Sequence, residues 1–277
     1  MSLNTTDDTT DDNTDDNTYN NTDNNDDKPK INEHIVSEHQ EITESVFKFD
    51  QAVLTASRKY KCLLRYDNML ATKEAMYSTI LPVHMEQVVR LFERVLGTRY
   101  PEKYSEKIYR AHVLDATANI GGDALTVATY FKNVHVTALE INPATYNVLC
   151  ANVKELNLSN ISTIHTSCYD FINEYDISKG IFDYIYFDPP WSYPGYEYKR
   201  HQRCTDLYIK HGDSYISVFD VIKLAFDKGM TNTVILKAPF KFDTGPKLGI
   251  RLYGAPIKNE YGAVSFFDII IKSDILS

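Results

Sequence analysis

Four acidic residues stand where an apolar run stops and a loop begins: Asp115 in "HVLDATANIGGDALT", Glu140 in "VHVTALEINP", Asp170 in "SCYDF" and Asp188 in "YIYFDPPWSYPGYEY". The loop after Asp115 holds Asn119, Gly121 and Gly122, and Asp123 opens the helix that follows. Ligands of open α/β sheets bind beyond the carboxyl ends of the strands, and glycines there let a ligand approach the backbone. The spacing is D-x3-N-x-G-G-D rather than the dinucleotide pattern G-x-G-x-x-G, and no Walker sequence occurs, so phosphate binding is poorly supported. An acid at this strand end suits an ammonium group. Glu140, 25 residues further on, suits both hydroxyls of a ribose. Asp170 could reach an adenine amino group. Singly, each is more often a helix cap or a solvated loop residue. Three in register behind a double glycine point to a nucleoside-bearing ligand.

Asp188 raises a different question, because "DPPW" sets the only Trp of the chain directly after two prolines. Proline removes a backbone donor and ends helices and central strands, so Trp191 belongs to a stiff loop rather than to a continuing element.

The elements that must carry these residues alternate. "AHVLD" reads as a strand, "DALTVATYF" as a helix, "VHVTALE" as a strand and "NPATYNVLCANVKELNL" as a helix with Asn142 as N-cap and Pro143 in its first turn. "ISTIHTSC" and "FDYIYFD" read as strands, and "DSYISVFDVIKLAFDKGM" as a helix capped by Asp213 and stopped near Gly229. "TNTVILKAP" is a further strand, and "GIRLYGAP" with "AVSFFDIIIKS" forms a terminal strand pair. Upstream, Met85, Val88, Val89, Phe92, Val95 and Leu96 make one face of a helix. Strands separated by single helices imply right-handed crossovers and a doubly wound, mostly parallel α/β sheet, with a closing hairpin that inserts an antiparallel strand.

The chain has 277 residues with formal net charge −9, unevenly placed. Residues 1–27 hold nine Asp and no Lys, Arg or Glu, which leaves 29 acidic and 29 basic residues for the rest. Residues 1–28 are expected to form a disordered Asn/Asp/Thr-rich tail. Residues 29–80 are expected to form a small helical N-terminal extension, helical around Glu44–Lys59, and 81–277 the main domain. A neutral body is unsuited to gripping long nucleic acid nonspecifically. Cys62, Cys150, Cys168 and Cys204 are scattered, with no CxxC pair, which argues against a disulfide framework or zinc site. No apolar run approaches the ~20 residues a membrane span needs. The expectation is a soluble, intracellular protein of cytoplasm or nucleus (host cytoplasm if viral), monomeric by default.

In this order, Asp115, Gly121, Gly122, Glu140, Asp170 and the run from Asp188 to Trp191 resemble class I S-adenosylmethionine-dependent methyltransferases. The resemblance implies a Rossmann-like methyltransferase domain and S-adenosylmethionine held by Asp115, Asn119, Gly121, Asp123, Glu140, Asn142 and Asp170, with no metal. Asn119 stands where the family usually has Gly, and Asn tolerates the left-handed backbone such a loop needs. It also implies that the D-P-P-W loop, through Asp188, Pro189 and Trp191, acts on an amino nitrogen attached to a planar ring. Such an amine is a weak nucleophile; the Asp188 carboxylate and the Pro189 carbonyl can each hold one N–H and turn the lone pair outward. The aromatic stacks on the base.

From about residue 60 onward the chain is similar to the trimethylguanosine synthases, which methylate the 2-amino group of a 7-methylguanosine RNA cap. Their cofactor loop runs D-A-x-x-G-x-G-G-N and their catalytic loop S-P-P-W-G-G-P-x-Y; here these are D-A-T-A-N-I-G-G-D and D-P-P-W-S-Y-P-G-Y. "YDNMLATKEAMYSTILP", with Tyr77 and Ser78, resembles their substrate-side element, and "TNTVILKAPFKFD", with Lys237 and Lys241, occupies the place of their loop near the cap phosphates. A 7-methylguanine ring is cationic, and Trp is the best aromatic partner for a cation. The cluster Lys199, Arg200, His201 and Arg203 could join Lys237 and Lys241 on the cap triphosphate, although charge clusters often only solvate a loop.

The implied partner is capped RNA. Asp188 in place of the family's Ser dissents, being commoner in adenine-N6 enzymes, so an adenine-N6 methyltransferase on RNA or DNA is the alternative. A catalytically inactive cap- or nucleoside-binding module is a second. Because residues 1–27 offer no apolar side chain beyond Met1, Leu3 and Tyr19, their deletion should leave the thermal midpoint within a few degrees of the intact chain; calorimetry of both checks this.

Overall fold

In the computed structural model, residues 46–48, 68–72, 75, 79, 88–93, 110–191, 205–239, 242, 252–259 and 262–272 are described. The tail, Tyr77, Ser78, residues 199–203 and Lys241 lie outside them.

Two short strands, β1 (Val46–Lys48) and β2 (Leu70–Thr72), pair antiparallel. The helix expected over Glu44–Lys59 therefore fails at Val46–Lys48, where a β-branched and an aromatic residue complete a ladder with β2. A helical segment follows over residues 88–93, with Val88, Val89 and Phe92 buried as its periodicity predicts. Next come β3 (Ala111–Asp115), α1 (Gly122–Tyr130), β4 (Val134–Glu140) and α2 (Pro143–Glu155). The Asn142 side chain accepts from Ala144 N (2.8 Å) and Thr145 N (3.1 Å) and starts α2 as expected.

Then β5 (Ile161–His165) gives way to α3 (Cys168–Glu174). The strand expected through Cys168 is cut short because Ser167 and Asp170 form a reciprocal cap: Ser167 Oγ accepts from Asp170 N (3.0 Å) and donates to Asp170 Oδ2 (2.7 Å).

After β6 (Tyr184–Phe187), β7 (Tyr208–His211) and β8 (Ser214–Ser217) form a hairpin, and α4 (Val218–Asp227) follows. The helix expected to be capped by Asp213 thus starts four residues later. Gly212, at φ 56°, and Asp213 make the two-residue turn, a strong hairpin signal, and Ser217 is the real cap, accepting from Phe219 N at 3.2 Å. Last come β9 (Thr233–Pro239), β10 (Leu252–Asn259) and β11 (Gly262–Ile271).

The main sheet has the order β10-β11-β9-β6-β3-β4-β5. The five strands from β9 to β5 are parallel, and β11 runs antiparallel between β9 and β10. This is the doubly wound, mostly parallel α/β sheet with an antiparallel C-terminal strand that the sequence predicts. The two-residue period of β6 feeds both layers. Tyr184 and Tyr186 join Val113, Phe92, Leu125 and Leu149 on one face, with Phe92 edge-on to Tyr184 at 4.8 Å. Ile185 and Phe187 join Leu114, Ile172, Ile222 and Leu236 on the other. Burying such side chains contributes about 1.5–3 kcal/mol each. From β3 the chain builds outward through β4 and β5, then returns to β3's other side at β6, so the topological switch point lies between β3 and β6. Among the described residues no helix is long and apolar enough to cross a membrane.

Two details fix the first loop. Asn152 of α2, fully buried, accepts from Leu70 N (2.8 Å) and donates to Leu70 O (3.0 Å) and Ile120 O (3.1 Å), stapling β2 to the loop between β3 and α1. Gly121 has φ 99°, and a Cβ there would lie 2.7 Å from Leu125 and 2.8 Å from Leu149. Gly121→Ala should therefore combine left-handed strain with overpacking, and destabilise by about 1–3 kcal/mol more than Gly212→Ala. Gly212 also has positive φ, but a Cβ there would meet open space. Denaturant midpoints of the two variants decide it.

Candidate active site

Adjacent parallel strands end side by side, so acids placed far apart in sequence meet at the switch point. Asp115, last residue of β3, pairs in register with Tyr186, and Asp188 follows β6 immediately. Phe187 pairs with Leu236, which sets Asp188 beside Lys237 of β9. Asp123, in the first turn of α1, completes the group.

Asp115 is buried, with Thr117 N donating to its Oδ1 at 3.2 Å. Thr117 Oγ1 in turn accepts from Asp188 N at 2.7 Å, joining the first loop to the loop after β6. Tyr186 Oη donates to Asp123 Oδ2 (3.0 Å), while Asp123 Oδ1 is buried with no hydrogen-bond partner among the described residues. Lys237 Nζ lies 2.5 Å from Asp188 Oδ2 and 3.6 Å from Asp123 Oδ2.

The electrostatics follow. Burial, and then the neighbouring Asp123, push the Asp115 carboxyl well above the usual aspartate range. Burial raises Asp188 to about 6 although Lys237 opposes it. Burial disfavours the Lys237 ammonium, but the carboxylates of Asp123 and Asp188 outweigh that and raise its affinity for its proton. Three aspartates thus share one described ammonium, and the region favours a cationic guest.

Glu140 ends β4, as expected; its Oε1 accepts from Asn142 N at 2.7 Å, and burial raises it while backbone donors oppose. Asn119 adopts φ 52°, the left-handed conformation expected of it, and its Oδ1 accepts from Ile120 N at 2.8 Å. The Asn142 oxygen is committed to the α2 cap. Pro189 is buried, and Trp191, partly exposed, packs beside the Phe187 side of the core.

Two placements differ from the sequence reading. Asp170 lies in the first turn of α3 rather than at a strand end; its Oδ2 is held by Ser167 and its Oδ1 is 3.3 Å from His211 Nδ1. Lys237, expected near phosphates, is buried and turned to two carboxylates, because β9 is covered on both faces and, among the described residues, Asp188 after β6 and Asp123 at the start of α1 offset its charge. Sequence reasoning missed Thr117 and Tyr186. The S-C-Y-D capping pattern could have located α3. Nothing local marks Tyr186, one of four consecutive buried residues.

Residues 110–236 match the family model of the RNA cap guanine-N2 methyltransferases. An uncharacterized protein of Acanthamoeba polyphaga mimivirus is 31% identical over 138 residues, 50% of either chain; the chain thus spans about half the length of this curated relative. Among solved structures, a SAM-dependent methyltransferase from Agrobacterium tumefaciens aligns at 15% identity and TM-score 0.46, covering 70% of this chain and 63% of that one. TrmK of M. capricolum, in complex with S-adenosyl-homocysteine, aligns at 13% identity and TM-score 0.44, covering 68% and 67%.

A cation that settles beside Asp115 lowers its raised pKa and releases its proton, so binding should tighten as pH rises through the range above ~4. Calorimetric titration with a sulfonium or ammonium ligand, in buffers of different ionisation heat, should detect that proton. Asp115→Asn should abolish its release and flatten the pH dependence.

Proposed function

We propose that this chain transfers a methyl group from S-adenosylmethionine to the exocyclic 2-amino group of a 7-methylguanosine RNA cap. The observation that carries the reading is the meeting of Asp115 and Asp123 with the Asp188-Pro189-Pro190-Trp191 loop at one switch point, inside the segment that matches the cap guanine-N2 family. The donor set fits the cofactor: among the described residues, a buried unpartnered oxygen on Asp123, carboxylates that outnumber the nearby cations, and Glu140 at the neighbouring strand end. When bound, S-adenosylmethionine supplies an electrophilic methyl group on a sulfonium.

The chain's own residues do the rest. Asp115 and Asp123 hold the cationic portion, and Glu140 accepts from the ribose hydroxyls. Asp170, if its carboxylate leaves His211, can accept from the adenine amino group. Asp188 Oδ1, unengaged among the described residues, accepts one N–H of the substrate amine and can take the proton it must lose. The Pro189 carbonyl accepts the other. Trp191 stacks on the cationic ring, and Tyr77, Ser78, Lys199 and Lys241 belong to the substrate side. Holding amine and methyl group in line can lower the barrier by as much as ~7–11 kcal/mol.

Asp188 favours a second reading, adenine-N6 methylation. Incubation of the full chain with labelled cofactor and either capped or adenosine-containing oligonucleotides, followed by nucleoside analysis, separates them. N2-methylated guanosine is expected; N6-methyladenosine alone would overturn the cap reading. Trp191→Ala should weaken cap binding tens-fold, for ~2 kcal/mol of lost cation–π attraction, and 7-methylguanosine analogue should quench the emission of this sole Trp. Fluorescence titration measures both.

A further inference from the structure

Lys237 is the least expected member of the site. Its side chain is 8% exposed, and it bridges Asp188, 17% exposed, and Asp123, 10% exposed. Among the described residues only Oδ2 of the Asp188 carboxylate is engaged, which leaves Oδ1 as the oxygen a ligand can use. We propose that Lys237 is a positioning residue for methyl transfer: it anchors Oδ2 of Asp188, keeps that carboxylate ionised with Oδ1 directed at the substrate amine, and ties the loop after β6 to the helix beside the cofactor.

The argument starts from the identity of residue 188. A serine, usual here in the family this chain resembles, accepts a hydrogen bond without carrying charge. An aspartate in the same half-enclosed position must be ionised to do so with both oxygens free of protons, and ionisation under burial is costly. The groups facing it make this worse: Asp123 from α1 and Asp115 from β3 are acidic, and Tyr186 of β6 is a neutral phenol that donates to Asp123. Lys237 from β9 is the described group that opposes them. The register between β6 and β9 places it one position past the Phe187–Leu236 pair, alongside Asp188. The fit of an aspartate at 188 thus depends on a cation at 237. Its second contact, at 3.6 Å to Asp123, links the loop after β6 electrostatically to α1, in addition to the Thr117 hydrogen bond that joins the two loops.

What Asp188 does for the substrate rests on the proposed cap reaction, but the state of its carboxyl can be read without any substrate. The experiment follows the carbon-labelled aspartate carboxyls of the full chain by NMR against pH, with Asp188→Asn to assign the signal, in wild type and in Lys237→Met. Wild-type Asp188 should be ionised at about pH 7.5, and its midpoint should move up by at least ~1 unit in Lys237→Met, a tenfold change. Lys237→Arg should restore it. In parallel, kcat on capped RNA at about neutral pH should fall at least ~tenfold in Lys237→Met while KM changes little, and its acid limb should shift upward with the carboxyl.

An unmoved midpoint, or a wild-type Asp188 still protonated at about pH 7.5, overturns the proposal even if the cap is methylated. A moved midpoint in a protein that leaves the cap unmethylated upholds the pairing and overturns the substrate reading instead. If Lys237→Met does not fold, the wild-type ionisation state alone decides.

Discussion

The charge balance at the end of three parallel strands governs the rest of the site. Asp115, Asp123 and Asp188 occupy ground where water cannot screen their repulsion, and isolated buried charges of this kind are strongly unfavourable. Lys237 offsets part of the charge, at 2.5 Å from one carboxylate and 3.6 Å from another. The remainder falls on Asp115, whose carboxyl is pushed well up by burial and by its neighbour. The protein thus holds an electrostatic deficit that a cationic ligand can relieve. Such a deficit costs folding stability, as is common where a fold is shaped to receive a guest.

The sheet makes the deficit possible. Parallel pairing of β3 with β6 and of β6 with β9 sets Asp115, Asp188 and Lys237 on neighbouring strands, although 122 residues separate the first from the last. Apolar packing on both faces of β6 and β9 locks the register, because a slip of one residue would exchange Tyr186 with Phe187 between the two cores. The polar ends of the strands are carried by the hydrophobic middles.

Loops then refine what the strands place. Asn119 and Gly121 adopt left-handed backbone, and Asn152 pins Ile120 from α2 while also holding β2. The first loop is therefore fixed from three sides: by its own conformation, by Leu149 beneath it and by the N-terminal strand. A loop held this way presents backbone groups to a ligand without needing to order itself first.

Much of this was legible in the amino-acid sequence. The alternation of strands and helices, the Asn142–Pro143 start of α2, the antiparallel pair at the end, and Asp115, Glu140 and Asp188 at strand ends all follow from local rules: apolar period, caps and proline. Local rules also misled. Ser167 with Asp170, and Gly212 with Asp213, carried cap and turn signals that competed with the apolar pattern around them, and the cap and the turn prevailed. What no window of sequence could decide was the direction of Lys237. A lysine in "VILKAP" reads as a charge bound for solvent or phosphate. Only the tertiary structure, by covering β9 on both faces and bringing Asp123 and Asp188 to its tip, turned that ammonium inward. The energy of a buried charge depends on which opposite charges surround it, and those arrive from three separate elements of the chain.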